Sequence, residues 1–221
     1  MPLYWLIWIL LRLILPVVGW WRVTGKENLP RKGGVIVAPN HISYADPPVV
    51  CAALGRQVRF MAKESLFKVS ILGCLIRIVG AFPVKQKSAD RTALRTAVRL
   101  IEEGRIVCIF PEGTRNTTSS LMKPELGIGM VAAKAKAPII PMLISGTNRL
   151  LPPHSFFLRF AKVRVRIGKP IPLEDLYEKE SGREVLEEIG LRVMKAIADL
   201  KAQDIEERVS LSRNHEKEIY K

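Results

Sequence analysis

Two residues in the stretch Asn40-His41-Ile42-Ser43-Tyr44-Ala45-Asp46-Pro47-Pro48 carry side chains suited to moving a proton. His41 and Asp46 follow the apolar run Val35-Ile36-Val37-Ala38, with four residues between them. A histidine held by a carboxylate takes a proton from a hydroxyl near neutral pH. The chain has three histidines, and the other two are poorer candidates. His154 follows Pro152 and Pro153, and His215 lies in a strongly polar tail. Five positions on a regular helix separate two side chains by about 140°, so the pair cannot share one straight helix. Asp46-Pro47 instead reads as a helix start, because Asp is a favoured N-cap and Pro suits the first helical position. A tight turn ending in that capped helix brings imidazole and carboxylate together.

A second polar loop, Pro111-Glu112-Gly113-Thr114-Arg115-Asn116, follows the apolar run Ile106 to Phe110. Arg115 offers a planar fork suited to a phosphate monoester. Gly113 lets backbone approach closely, and Thr114 adds a hydroxyl donor. Glu112 either binds a substrate hydroxyl or orders the arginine. Three lysines are further cation candidates: Lys63 after the 57–61 run, and Lys85 and Lys87 after Gly80-Ala81-Phe82-Pro83-Val84. A solvated surface position is the plainer reading of each lysine taken alone.

The elements that must position these groups read as alternating buried strands and amphipathic helices. Short apolar runs at 34–38, 57–61, 80–84, 106–110 and 139–144 suit buried strands, and 162–167 alternates Lys/Arg with Val/Ile. Ser88 to Glu103 reads as an amphipathic helix, with Ser88 as cap, Gly104 as stop and Leu94, Ala97, Val98 and Ile101 on one face. Helices are also expected over 129–136 and 183–202. This order predicts one α/β domain over 23–202, with a mixed, largely parallel sheet flanked by helices. The polar tail 203–221 is expected to fray.

Residues 1–22 form the most apolar segment and hold all four tryptophans. A spanning helix needs about 20 apolar residues, and Arg12 near the centre and Pro16 count against it. No basic start or small-residue cleavage site marks a signal peptide. A helix lying in the membrane interface, with Trp and Leu side chains inward and Arg12 and Arg22 at headgroup level, is the favoured reading. A buried core helix is the third. The 221 residues carry 35 Lys+Arg against 21 Asp+Glu, a net charge of +14 that asks for an anionic partner. Cys51, Cys74 and Cys108 read as reduced core residues with no metal spacing.

The ordered blocks resemble the glycerolipid acyltransferase family, whose best-known members are the lysophosphatidic acid acyltransferases. Asn40-His41-x4-Asp46 and Phe110-Pro111-Glu112-Gly113-Thr114-Arg115 are the outer landmarks. Gly80-Ala81-Phe82-Pro83-Val84-Lys85 is similar to the second block, and Ile140-Pro141-Met142-Leu143-Ile144 to the fourth. The resemblance covers roughly residues 20–170. It implies His41 as general base, Asp46 as its orienting partner, and Glu112, Gly113, Thr114 and Arg115 as the acceptor-binding loop. Where the family has an arginine after its Pro-Val segment, this chain has Lys85-Gln86-Lys87, and where the family has serine after Arg115, it has Asn116. The implied reaction moves a fatty acyl group from acyl-CoA or acyl carrier protein to the 2-hydroxyl of lysophosphatidic acid, without metal or redox cofactor, at the cytoplasmic face of a membrane. Glycerol-3-phosphate and other lysolipids are alternative acceptors. Ser43 lacks a nucleophile elbow, so direct transfer is expected rather than an acyl-enzyme. A basic, non-catalytic binder of membrane or nucleic acid is the rival class. The aromatics cluster in the N-terminal segment rather than among the basic residues, which argues against nucleic acid.

Overall fold

The computed structural model describes residues 2–85, 90–116, 118, 120–153, 155, 157–180 and 182–219; within them it leaves the side chains of 2, 3, 71, 72, 75 and 213–219 undescribed. In chain order the α-helices and strands begin with α1 (Pro2–Gly19), β1 (Arg22–Thr24), β2 (Val35–Pro39), α2 (Asp46–Ala53) and β3 (Val58–Lys63). Then come α3 (Ser70–Ile78), β4 (Phe82–Val84), α4 (Arg91–Glu102), β5 (Ile106–Cys108) and α5 (Leu126–Ala135). The chain closes with β6 (Ile139–Ser145), α6 (Thr147–Leu150), β7 (Arg164–Ile167), α7 (Glu174–Tyr177) and α8 (Arg183–Ile219). One seven-stranded sheet has the order β1-β7-β6-β2-β5-β3-β4. Every pairing is parallel except β6–β7. The expected mixed, largely parallel sheet is what the chain forms.

Side chains alternate across the pleat, which splits the core in two. Val35 and Val37 of β2 face the cluster built with α1 and α2, including Val49, Val50 and Leu54. Ile36 and Ala38 face the other cluster, to which α4 contributes Val98, α5 contributes Val131, and α8 contributes Ile189 and Val193. Central β2 is buried at all five positions, because helices cover both of its faces. Parallel pairing gathers the carboxyl ends of β2, β5, β3 and β4 along one edge of the sheet, where sites form in open α/β folds.

Several local expectations change. Ser88 lies outside the described residues, and Asp90 caps α4 instead, accepting from the backbone N–H groups of Thr92 and Ala93. Helix α8 does not end near 202 but runs on to Ile219. Asp204 explains the continuation: it is fully buried and pairs with Arg166 (3.3 Å) and Arg208 (3.0 Å). Arg166 also pairs with Glu207, and Arg22 reaches Glu207 at 2.9 Å. These contacts fasten the expected tail to β7 and β1. Of the cysteines, Cys51 and Cys108 are buried as expected, but Cys74 is exposed on α3. Burial pushes the Cys51 thiol up to about 12 and the Cys108 thiol well above its ordinary value.

Helix α1 is two-sided. Tyr4 and Leu15 are buried against the domain, the Trp8 indole N–H donates to the Leu54 carbonyl at 3.1 Å, and the Tyr4 hydroxyl accepts from the Val58 N–H. Trp5, Ile9, Leu13, Val17 and Trp20 stay exposed on the other side, at spacings of three or four. No helix among the described residues is long and apolar enough to cross a membrane. Packing on one side therefore accounts for only part of this segment's apolar character.

Two measurements check these assignments. Asp204→Ala removes a fully buried carboxylate shared by Arg166 and Arg208, leaving Glu207 to Arg166, and should cost about 3 kcal/mol in urea unfolding. Titration of the native protein with a thiol reagent at pH 8 should modify Cys74 rapidly, with Cys51 and Cys108 reacting only on unfolding.

Candidate active site

The turn between β2 and α2 is built around one carboxylate. Asp46 is fully buried, and its Oδ2 accepts from the His41 ring at Nδ1 (2.8 Å), from the Ile42 N–H (2.7 Å) and from the Ser43 N–H (2.8 Å). The expected N-cap role is corrected: Ala45 occupies the cap position, and Asp46 is the first residue of α2. Its carboxylate turns back to close the loop that precedes the helix, and the helix N-terminus favours its charge. An ionised carboxylate has no proton to give, so Nδ1 carries the hydrogen and Nε2 keeps a free lone pair. Such a pair has the arrangement that general-base chemistry needs.

Three further contacts hold His41. Its ring stacks on Phe110, with centroids 4.0 Å apart and planes at 24°. Its backbone carbonyl accepts from the Asn116 N–H at 2.7 Å. Its backbone N–H lies 3.4 Å from the Glu112 carboxylate. Asn40, one residue earlier, is buried and clamps the end of β6 from both sides: its amide donates to the Ile144 carbonyl and accepts from the Ile144 N–H. The base therefore sits on a turn tied to β5, β6 and the following loop.

Glu112 faces inward and bonds to the protein itself. It is buried, and its second oxygen accepts from the Asn116 side chain (2.6 Å) and the Met122 N–H (3.1 Å). Asn116 in turn donates to the Ser120 carbonyl at 2.6 Å. Glu112 and Asn116 brace the turn that carries His41 against Ser120 and Met122. Gly113 has φ +65°, a conformation that side-chain-bearing residues rarely adopt, and a Cβ there would also displace the exposed Glu125 side chain. Thr114 is exposed, and Arg115 lies half-buried with its guanidinium 3.5 Å from the centroid of the Tyr44 ring. A guanidinium resting on an aromatic face keeps its edge N–H groups available to an anion.

The remaining cations sit further along the same edge. Lys63 ends β3, two strands from β2, or roughly 10 Å away at ordinary strand spacing. Lys85 follows β4, one strand beyond, and both are exposed. Lys87 lies outside the described residues. Ser43 is committed elsewhere: its hydroxyl donates to the Leu151 carbonyl and accepts from the Ala45 N–H. Sequence reasoning passes over Phe110, Tyr44 and Asn116. Phe110 and Tyr44 are legible only as neighbours of motif residues, and Asn116 as a departure from the family pattern.

A histidine bonded to a buried carboxylate, with an arginine nearby on the carboxyl edge of a parallel sheet, suits group transfer to an anionic hydroxyl compound. The acyltransferase family model matches residues 21–145, more than half of the chain, and the protein belongs to that family. A relative named 1-acyl-sn-glycerol-3-phosphate acyltransferase, from Bacillus subtilis, is 32% identical over 168 residues, covering 75% of this chain and 80% of its own. The Borreliella burgdorferi protein of the same name is 28% identical and covers 79% of this chain and 72% of its own. The crystal structure of the 1-acyl-sn-glycerophosphate (LPA) acyltransferase PlsC from Thermotoga maritima is similar with a TM-score of 0.65 and 28% identity, over 82% of this chain and 72% of that one.

The bracing role of Asn116 has a direct test. Asn116→Ala strips one partner from Glu112 and one from Ser120, and should lower stability by about 1–3 kcal/mol. Thermal unfolding of Asn116→Ala beside Asn116→Asp, which keeps an acceptor but sets a second carboxylate against Glu112, should show both variants destabilised.

Proposed function

We propose that the protein transfers a fatty acyl group from a thioester, acyl-CoA or acyl carrier protein, to the 2-hydroxyl of lysophosphatidic acid. The product is phosphatidic acid, made at the cytoplasmic face of a membrane. The observation that carries this reading is the 2.8 Å contact between His41 Nδ1 and Asp46, beside a loop that presents Arg115. Relatives bearing the lysophosphatidic acid acyltransferase name support the choice of acceptor.

In this reading Arg115, lying on Tyr44, takes the acceptor's phosphate through its guanidinium edge. The acceptor hydroxyl gives its proton to His41 Nε2 as its oxygen attacks the thioester carbonyl. Asp46 stabilises the imidazolium so formed without itself taking the proton. When the tetrahedral intermediate collapses, the C–S bond breaks and the proton passes from Nε2 to the departing thiolate. The ester, the free thiol and neutral His41 are then all in place. Lys63, Lys85 and Lys87 are suited to the phosphates of the donor or to the headgroup, as point charges rather than forks. The +14 charge suits an acidic carrier protein and an anionic membrane surface alike.

The assay is turnover of labelled acyl-CoA and acyl carrier protein with lysophosphatidic acid, run beside glycerol-3-phosphate and uncharged lysolipids. His41→Ala should lower turnover by about 10²–10⁴-fold, while Arg115→Ala should act chiefly on KM for the phosphorylated acceptor. Unchanged turnover in His41→Ala would remove the base from the mechanism, and better turnover with another acceptor would replace lysophosphatidic acid.

A further inference from the structure

The antiparallel step between β6 and β7 creates an excursion on the catalytic edge. Strand β6 runs parallel to β2 and therefore ends at Ser145 on the side of the sheet that carries His41. Ser145 is paired with Arg164, the first residue of β7, so residues 146–163 leave and re-enter the sheet at that same edge. Strand β1 pairs parallel with β7, Arg22 opposite Arg164, which brings the end of α1 to this edge as well.

Hydrogen bonds join the three pieces. The Ala161 N–H donates to the Val18 carbonyl (3.2 Å), and the Val163 N–H to the Gly19 carbonyl (2.7 Å). The Arg159 N–H donates to the Leu150 carbonyl, and the neighbouring Leu151 carbonyl accepts the Ser43 hydroxyl of the catalytic turn. On the returning arm of the excursion Phe157 is 83% exposed and Phe160 77%, with Leu158 exposed between them. Exposure this high for two phenylalanines beside the open face of α1 leaves a large apolar surface uncovered by the described residues.

Charge identifies the occupant. No aspartate or glutamate occurs in residues 1–26 or 126–173, the stretches that contain α1 and the excursion. Residues 126–173 carry Arg149, Arg159 and Lys162 within the excursion alone, and Lys162 lies over the Trp20 ring at 5.3 Å. Apolar tips bordered by cations and aromatic rings match the hydrocarbon and the anionic headgroups of a phospholipid leaflet. We propose that the segment 157–162 is a second membrane-insertion point, which with the outer face of α1 seats the catalytic edge on an anionic bilayer. This deepens the membrane reading above, on which it rests, and gives the bilayer a defined orientation relative to His41.

The test is sedimentation of the full chain with vesicles of phosphatidylcholine, with and without phosphatidylglycerol. F157S/F160S should bind both vesicle types at least about tenfold more weakly. R159E, which leaves the apolar tips intact, should lose affinity only for vesicles containing phosphatidylglycerol, and the difference should shrink at high salt. With a short-chain, monomeric lysophosphatidic acid both variants should turn over as the unaltered protein does, while acylation of vesicle-embedded acceptor falls with binding. Vesicle binding unchanged in both variants overturns the proposal. A change in oligomeric mass in F157S/F160S without change in vesicle binding also overturns it, in favour of a second copy of the chain on this surface. Sedimentation needs no turnover, so loss of vesicle binding in a protein inactive on every acceptor would uphold the insertion point and reject the acylation reading.

Discussion

A single oxygen, Asp46 Oδ2, holds the site together by collecting three N–H groups. Two come from the backbone of Ile42 and Ser43, and the third from the His41 ring. The backbone bonds fix the turn, so the ring bond is aimed before any substrate arrives. Proximity of Asp46 to the start of α2 lets the helix support a charge that burial alone would disfavour. The sheet supplies the rest. Asn40 bonds to Ile144 of β6, and Phe110, just past β5, stacks on the imidazole, so both neighbours of β2 hold the base.

The loop from Glu112 to Asn116 depends on this turn as much as on itself. Glu112 and Asn116 connect the backbone of His41 to Ser120 and Met122 through one buried hydrogen-bonded group. A buried carboxylate that accepts from several N–H donors fixes the geometry of the loop. Arg115 stands outside that network, on the exposed Tyr44 ring. The division separates a rigid base from a cation placed to meet an anion.

Much of this is legible in the sequence, and the misses share one cause. The apolar run before Asn40, the Asp-Pro helix start and the glycine of the second loop are local signals, and each marks its element. Local propensity makes Asp46 a cap because it cannot tell which way a carboxylate turns. The inward bonds of Glu112 are not legible locally because their donors come from Asn116 and Met122, later in the loop. The end of α8 is hidden for the same reason: Asp204 is polar in the sequence but meets Arg166 of β7 in the fold. Helix α1 is apolar on nearly all sides, so its periodicity hides which face packs. Partners distant in sequence settle each of these.

The fastening of Ser43 has a kinetic meaning. Its hydroxyl is occupied by Leu151 and Ala45, so the turn offers a base without a nucleophile beside it. On the proposed chemistry, no half of the reaction can proceed with the donor alone. Donor and acceptor must occupy a ternary complex together, and double-reciprocal plots should intersect rather than run parallel. The same base would activate a water molecule as readily as an alcohol. Thrift with the thioester therefore rests on the acceptor filling the space over Nε2, not on a covalent intermediate shielded from solvent.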